Sequence, residues 1–264
     1  MEPVQIHFMN VGQGDAILID QGETEVLIDG GRKSPGTVEY LSYYVDDELD
    51  IMVATHPHDD HMGGLVEVLE AFEVGRIYHN GQESKGRFYK EFMDAINQEE
   101  AEISVVRLGD TIEAGDLIFT VLNPATLADT VNNNSIVLLL SYGAIDFLFA
   151  GDAEKNAEAR MLAQKAVPVP EVEVLKVGHH GATTSSSPLF LQVIRPVVAI
   201  VMAKHTHDET IENLTRIGAE VYVTDSSGTI VIDCDGNGFT VRCERESLFS
   251  PDSPPAITSL TVDR

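Results

Sequence analysis

Basic residues are scarce in this chain: Lys and Arg number 17 against 43 Asp and Glu, a formal net charge of −26 over 264 residues. So acidic a balance opposes non-specific attraction to nucleic acid or anionic membranes, and it favours solubility. It is also compatible with a high-salt habitat. Cysteine is limited to Cys234 and Cys243, too few for a disulfide framework. The two flank a Gly-Asn-Gly turn, where a single bridge is one reading and a pair of ordinary thiols the preferred one. No apolar run is long enough to span a membrane, since the longest region, 136–151, carries Asp146 inside it. The start, Met1-Glu-Pro-Val-Gln-Ile6, has neither the basic head nor the apolar stretch of a signal peptide. No membrane insertion and a cytoplasmic location are therefore expected, or a secreted one if a signal peptide has been trimmed. There is no internal repeat or low-complexity block.

What the chain does have is ordinary material for a core, with 43% apolar and 23% charged residues, and one dense cluster. The run Thr55-His-Pro-His-Asp-Asp-His-Met-Gly-Gly64 follows the strand-like segment Asp50-Ile-Met-Val-Ala54. Imidazole nitrogen and carboxylate oxygen are the donors that zinc, manganese and iron prefer. His56 and His58 can point the same way from an extended stretch, and Asp60 and His61 arrive from the next turn. Pro57 disfavours a helical His56 and a central ladder, so the donors belong on a loop leaving the strand.

Strands are expected at Val4–Asn10, Ala16–Asp20, Glu25–Asp29, 50–54 and 76–79, and again at 104–108, 117–122, 135–141, 146–150, 172–176, 197–202, 220–223, 229–233 and 239–243. Helices are expected at 36–46, 65–72, 86–100, 153–164, 188–193 and 208–217. Strand pairs interleaved with helices in both halves predict an α/β (α+β) fold of two mixed sheets packed face to face with outer helices. Residues 1–245 read as one domain, and 246–264, with Pro254-Pro255 and many serines, as a tail or linker with little to bury.

Other strand ends complete the set of candidates. Asp152 follows an apolar strand in an Ala-Gly-Asp turn and is the natural bridge between two ions, its competing role being a helix cap. Either His179 or His180, between Gly178 and Gly181, would cap the second ion; His179 is the first position off the strand, which would turn His180 toward substrate. Within Lys204-His-Thr-His207, His205 is a candidate ligand or partner of a substrate oxyanion, with Lys204 beside it. Asp29 is the candidate carboxylate for orienting a ligating imidazole. His7 reads as structural and His79 as a turn residue.

Together these motifs resemble the metallo-beta-lactamase superfamily, in the branch of the hydrolase domain of ComEC-type DNA-uptake proteins and its stand-alone relatives. The carriers are 8–16 (Phe-Met-Asn-Val-Gly-Gln-Gly-Asp-Ala), Leu27-Ile-Asp-Gly-Gly31, 55–64, Asn133-Asn-Ser-Ile-Val-Leu138, 151–158, Leu175-Lys-Val-Gly-His-His-Gly181 and Thr224-Asp-Ser-Ser-Gly-Thr-Ile230, in family order across about 4–233. The resemblance implies the four-layer αβ/βα sandwich, two bound divalent ions (Zn or Mn) and hydrolysis by a metal-activated hydroxide. It also implies that Gln13 and Asp15 shape the floor of the site. Three departures stand out. Residues 117–140 hold no His where many members place a capping one, only Asn123 and Asn132–Asn134, Lys204-His-Thr-His207 replaces the usual Gly-His-Pro-His, and Ala182 stands where a Ser is usual. The membrane channel of full ComEC-type proteins is not in this sequence, so DNA import by this chain alone is not expected.

The expected activity is hydrolysis of a phosphodiester, single-stranded DNA or a small ester. His56, His58, Asp60, His61, Asp152 and His179 or His180 would hold the ions, and Asp59 or Asp60 would relay the proton. Arg32, Lys33, Lys85, Arg87, Lys176 and Lys204 would form a local positive strip against the overall charge. Lactone or thioester hydrolysis is the alternative, and a non-catalytic binding module a further one.

Overall fold

The computed structural model describes residues 2–46, 48–128 and 130–245, and the backbone of 258–260. The first strands are β1 (Val4–Phe8), β2 (Ala16–Asp20), β3 (Glu25–Gly30), β4 (Glu48–Ala54), β5 (Glu73–His79) and β6 (Glu102–Val105). A second series comprises β7 (Thr111–Ala114), β8 (Leu117–Asn123), β9 (Val137–Tyr142), β10 (Ile145–Phe149), β11 (Val174–Lys176), β12 (Val198–Val201) and β13 (Glu220–Val223). The chain then returns to the first series with β14 (Ile230–Cys234), β15 (Phe239–Cys243) and β16 (Thr258–Leu260). One sheet runs β16-β15-β14-β1-β2-β3-β4-β5-β6 and the other β13-β12-β11-β10-β9-β8-β7. Both are mixed: β3 to β6 and β10 to β13 are parallel, and the remaining pairs are antiparallel.

The strands are read most simply from their alternation. In β4, Ile51 and Val53 enter a core shared with Phe119, Phe147 and Ile200 of the other sheet, while Met52 and Ala54 face the opposite way. A strand buried on both faces reads as a continuous apolar run, and β4 and β10 both do. The outer face of the first sheet is covered by α1 (Pro35–Leu41), α3 (Leu65–Ala71) and α4 (Arg87–Ile96), with the single turn α2 (Asp59–Met62) before α3. The outer face of the second carries α5 (Lys155–Ala163), α6 (Pro188–Ile194) and α7 (Asp208–Arg216), and α8 (Thr224–Ser227) lies before β14. The result is the expected four-layer sandwich. Each fully buried Phe, Leu or Ile of these layers contributes roughly 1.5–3 kcal/mol of transfer free energy.

Some expectations change in detail. The helix expected over 36–46 ends at Leu41 and gives way to turns closed by Tyr43 and Tyr44 amides. Thr111–Ala114 is a strand whose four residues offer only two apolar positions, too short a signal to read. Of the expected tail, the backbone of Thr258–Leu260 pairs antiparallel with β15, and the rest of 246–264 lies outside the described residues. Cys234 pairs with Phe239 and Cys243 with Ile230, so the thiols sit at opposite ends of the hairpin, buried and not joined. No helix among the described residues is long and apolar enough to cross a membrane.

His7 is buried on the outer face of β1, its Nδ1 2.8 Å from the Tyr40 hydroxyl and its ring edge-on to Tyr44. Burial, and then the Arg242 guanidinium, lower its pKa from 6.5 to about 4. The unfolded chain therefore binds a proton that the folded chain refuses between those values, and His7 makes stability fall as pH drops through that window. In urea titrations at pH 7, 6, 5 and 4, His7→Gln is expected to flatten that slope; an unchanged slope would exclude His7 as its source.

Candidate metal centre

Four parallel-strand ends meet at one rim of the sandwich, the place where open α/β sheets put their ligands. β3 closes with Asp29-Gly30, β4 runs into the His56–His61 loop, β10 leads to Asp152, and β11 leads to His179-His180. After β4, a single helical turn closed by His61 and Met62 amides on the His58 carbonyl swings Asp60 and His61 round behind His56 and His58. Close backbone approach makes this possible: a Cβ on Gly64 would stand 2.1 Å from the Gly30 carbonyl oxygen, and one on Gly14 2.3 Å from that of Asp60.

Asp29 organises the loop. Its backbone is left-handed (φ 57°), a conformation that Asp tolerates better than most residues. Its buried carboxylate accepts from the Thr55 amide at 2.8 Å and the Thr55 hydroxyl at 2.7 Å, and stands 2.7 Å from His61 Nδ1. A carboxylate so placed only accepts, so His61 Nδ1 carries the proton and Nε2 is bare. His180 Nδ1 likewise donates to the Met202 carbonyl at 2.9 Å, which leaves its Nε2 bare.

Those two bare nitrogens stand 3.3 Å apart, with Asp152 Oδ1 3.2 Å from the first and 3.5 Å from the second. Asp152 Oδ1 is buried without a hydrogen-bond partner. Three such atoms converge comfortably only where a proton or a metal cation lies among them, and two imidazole nitrogens with a buried carboxylate oxygen are a donor set that fits a metal ion. Asp60 Oδ2 lies 3.7 Å from His180 Nε2, and Arg32 stands 3.4 Å from the same oxygen. On the other side of Asp152, His56 Nε2 is 3.0 Å from His58 Nδ1 and 3.6 Å from Asp152 Oδ2. Two clusters could thus hold a metal ion: Asp15, His61, Asp152 and His180, and His56, His58 and Asp152.

The electrostatics follow from this crowding. Burial alone would raise the Asp152 carboxyl, but the His61 and His180 imidazoles outweigh it and hold it well below the usual carboxylate range. For His61, burial is outweighed by Asp152, Asp29 and Asp15, which hold it well above its ordinary value, so in the ion-free chain a proton on Nε2 faces Asp152 and a metal ion would displace it to leave Nε2 bare. His56, buried and crowded by His61, is pushed well below.

Beneath the site lies a buried ion pair. In β11, Val174 faces the inter-sheet core and Leu175 the outer helices, so alternation sends Lys176 inward. There its ammonium meets Asp15 Oδ2 and donates to the Gly151 carbonyl at 2.8 Å. Asp15 Oδ1 lies 3.3 Å from His180 Nδ1, and Asp15 Oδ2 3.7 Å from His61 Nδ1. Burial would raise the Asp15 carboxyl, but Lys176, then His61 and His180, hold it below its ordinary value.

The structure brings together His56, His58, Asp60, His61, Asp152, His180, Asp15 and Asp29. It puts His180, rather than His179, beside His61, because both residues have left-handed backbone (φ 47° and 53°) and their rings splay apart. Asp59 is exposed at the start of α2, and Lys204 and His205 lie exposed on their loop, where the Lys204 amide donates to Gln13 at 3.2 Å. Lys176 leaves the positive strip, since it is buried. Composition and spacing gave no weight to Ser135, whose hydroxyl accepts from the Asp152 amide at 3.0 Å and lies 3.3 Å from His56 Nδ1, or to Glu154 behind His179. The lone Lys in phase with Val174 was the available sign of the Asp15 partner.

A profile of the metallo-beta-lactamase superfamily matches residues 9–205. ComE operon protein 3 of Bacillus subtilis (strain 168) is 29% identical over 254 residues, covering 86% of this chain and 32% of that protein. Recombination protein 2 of Haemophilus influenzae is 30% identical over 268 residues, covering 95% and 31%. The chain therefore spans about a third of the length of these relatives. The metallo-beta-lactamase fold protein YhfI of Bacillus subtilis superposes with a TM-score of 0.63 at 13% identity, covering 89% of this chain and 100% of that one.

Removing one member of the buried pair should be costly. Lys176→Met, which strands Asp15, is expected to lower stability by about 3–5 kcal/mol, and the double variant with Asp15→Asn to recover much of that. Urea denaturation of the metal-free proteins checks it; equal losses in the single and double variants would contradict the pairing.

Proposed function

The chain belongs to the metallo-beta-lactamase superfamily, and from that premise we propose that this metal-dependent hydrolase holds two divalent ions, Zn or Mn, and cleaves phosphodiesters. The observation that carries the reading is the meeting of bare His61 Nε2, bare His180 Nε2 and unpartnered Asp152 Oδ1, with His56 and His58 facing the second oxygen of the same carboxylate. His61, His180, Asp60 and Asp152 hold one ion; His56, His58 and Asp152 hold the other. Ions bound there supply Lewis-acid polarisation of water and of a phosphoryl oxygen.

The protein's own part is positional. Asp29 and the Met202 carbonyl keep the His61 and His180 tautomers with Nε2 open, as supporting acceptors do around metal sites. Lys176 and Asp15 brace the same imidazoles from below. Asp60, part-exposed beside Arg32, is the carboxylate on the open side that can take up a proton.

For the substrate, likeness to ComEC-type competence proteins and the local distribution of cations support a phosphodiester. Arg32, Lys33, Lys85 and Arg87 are exposed; Lys33 adjoins Gly63 at the end of the ligand turn, and Gly86 approaches Asp59 at its start. These residues flank the turn and offset locally a chain charge of −26. A polyanion would depend on them more than a small diester does.

Purified protein stripped by chelation and dialysis is expected to lose hydrolysis of bis-p-nitrophenyl phosphate and to regain it with manganese or zinc, while Asp152→Ala regains none. Turnover of a lactone or thioester with no action on any phosphodiester would overturn the substrate class. Lys33→Glu with Lys85→Glu should raise KM for single-stranded DNA at low salt by at least about tenfold and leave the small diester little changed. An equal effect on both substrates would point away from nucleic acid.

A further inference from the structure

The two clusters are unequally furnished. Asp15, His61, Asp152 and His180 cluster at one position, with Asp60 Oδ2 3.7 Å from His180 Nε2, whereas the other has His56, His58 and Asp152, and residues 117–140 offer no histidine to it. Just outside that cluster stands His179, its Nε2 3.9 Å from Asp152 Oδ2, the atom that faces His56. His179 Nδ1 lies 3.1 Å from Glu154 Oε1 and 3.1 Å from the Thr184 hydroxyl. The carboxylate can only accept, so the proton sits on Nδ1 and Nε2 presents its lone pair to the site. A carboxylate behind an imidazole is the usual support of a metal-binding histidine.

A neighbour points to the same place. The Asn132 amide nitrogen stands 3.3 Å from His179 Nε2, and its Oδ1 is buried with no hydrogen-bond partner. The backbone is strained to make the arrangement, since His179 and His180 are consecutive left-handed residues. The result is two rings 6.0 Å apart with planes at 62°, one turned to each oxygen of Asp152.

Resting on the two-ion reading above, we propose that the adjacent histidines divide between the ions. His180 belongs to the His61 position, and His179, backed by Glu154, supplies the nitrogen missing from the His56 and His58 position.

The test is binding of manganese(II) alone to the stripped full chain, read as ions per chain by elemental analysis and as affinities by calorimetry. Asn tolerates left-handed backbone, so His179→Asn and His180→Asn are the variants of choice, with folding checked by circular dichroism. Wild type is expected to bind two ions. His179→Asn should keep one and lose or weaken the other at least about tenfold, and Glu154→Gln should weaken that same ion about 10- to 100-fold. Added to His56→Ala, His179→Asn should change little; added to His180→Asn, it should abolish both sites. Wild-type binding by His179→Asn, or a loss that duplicates that of His180→Asn, would overturn the assignment while leaving the two-ion reading intact. Failure of wild type to bind manganese, or unchanged binding by Asp152→Ala, would bring down the two-ion reading and this proposal with it. Should His179→Asn not fold, Glu154→Gln carries the test alone, and unchanged binding by it counts against the proposal.

Discussion

One carboxylate, that of Asp152, imposes the layout of the rim. It is buried between imidazoles on both sides, and a charge so enclosed is tolerable only where opposite charge or hydrogen-bond donors are held against it. Its own loop is anchored twice, by the Ser135 hydroxyl at its amide and by Lys176 at the Gly151 carbonyl. The imidazoles come from the opposite sheet and from the next strand, so the two sheets must finish at the same level. The inter-sheet core of Phe119, Phe147, Ile51 and Val53 sets that level, which ties the chemistry of the rim to close packing several residues below it.

Much of this was legible in the sequence for a definite reason. Parallel strands buried on both faces leave apolar runs with polar residues at their carboxyl ends, so Asp29, His56, Asp152 and the His179-His180 pair announce themselves at strand ends, the pair without showing which of its members meets His61. Asp29 in particular reads as a partner of an imidazole, and the structure sets it against His61 and Thr55. What escaped were contacts across long sequence separations with no local pattern. Lys176 looks like a surface cation until the strand phase turns it toward Asp15, and Ser135 is one polar residue in a polar run until the fold carries it beneath Asp152. The orientation of the His179-His180 pair depends on two left-handed residues, which no propensity for His suggests. Asp59 and His205 show the opposite failing: suitable chemistry near the motif, aimed at solvent.

The acidity of the chain acquires a geography. Negative charge dominates the composition, yet exposed cations border the ligand turn at Arg32-Lys33 and Lys85-Arg87, while the lysine nearest the histidines is spent internally on Asp15.

The β14–β15 hairpin has a use unrelated to its place in the sandwich. Its two thiols are buried at opposite ends, and burial pushes Cys234 up to about 11. Alkylation proceeds through the thiolate, so in the native protein at neutral pH Cys234 is masked both by access and by protonation. The hairpin therefore carries its own reporter of opening: the rate at which iodoacetamide modifies it follows how readily that part of the sheet opens, at native thiols that are not among the candidate metal ligands.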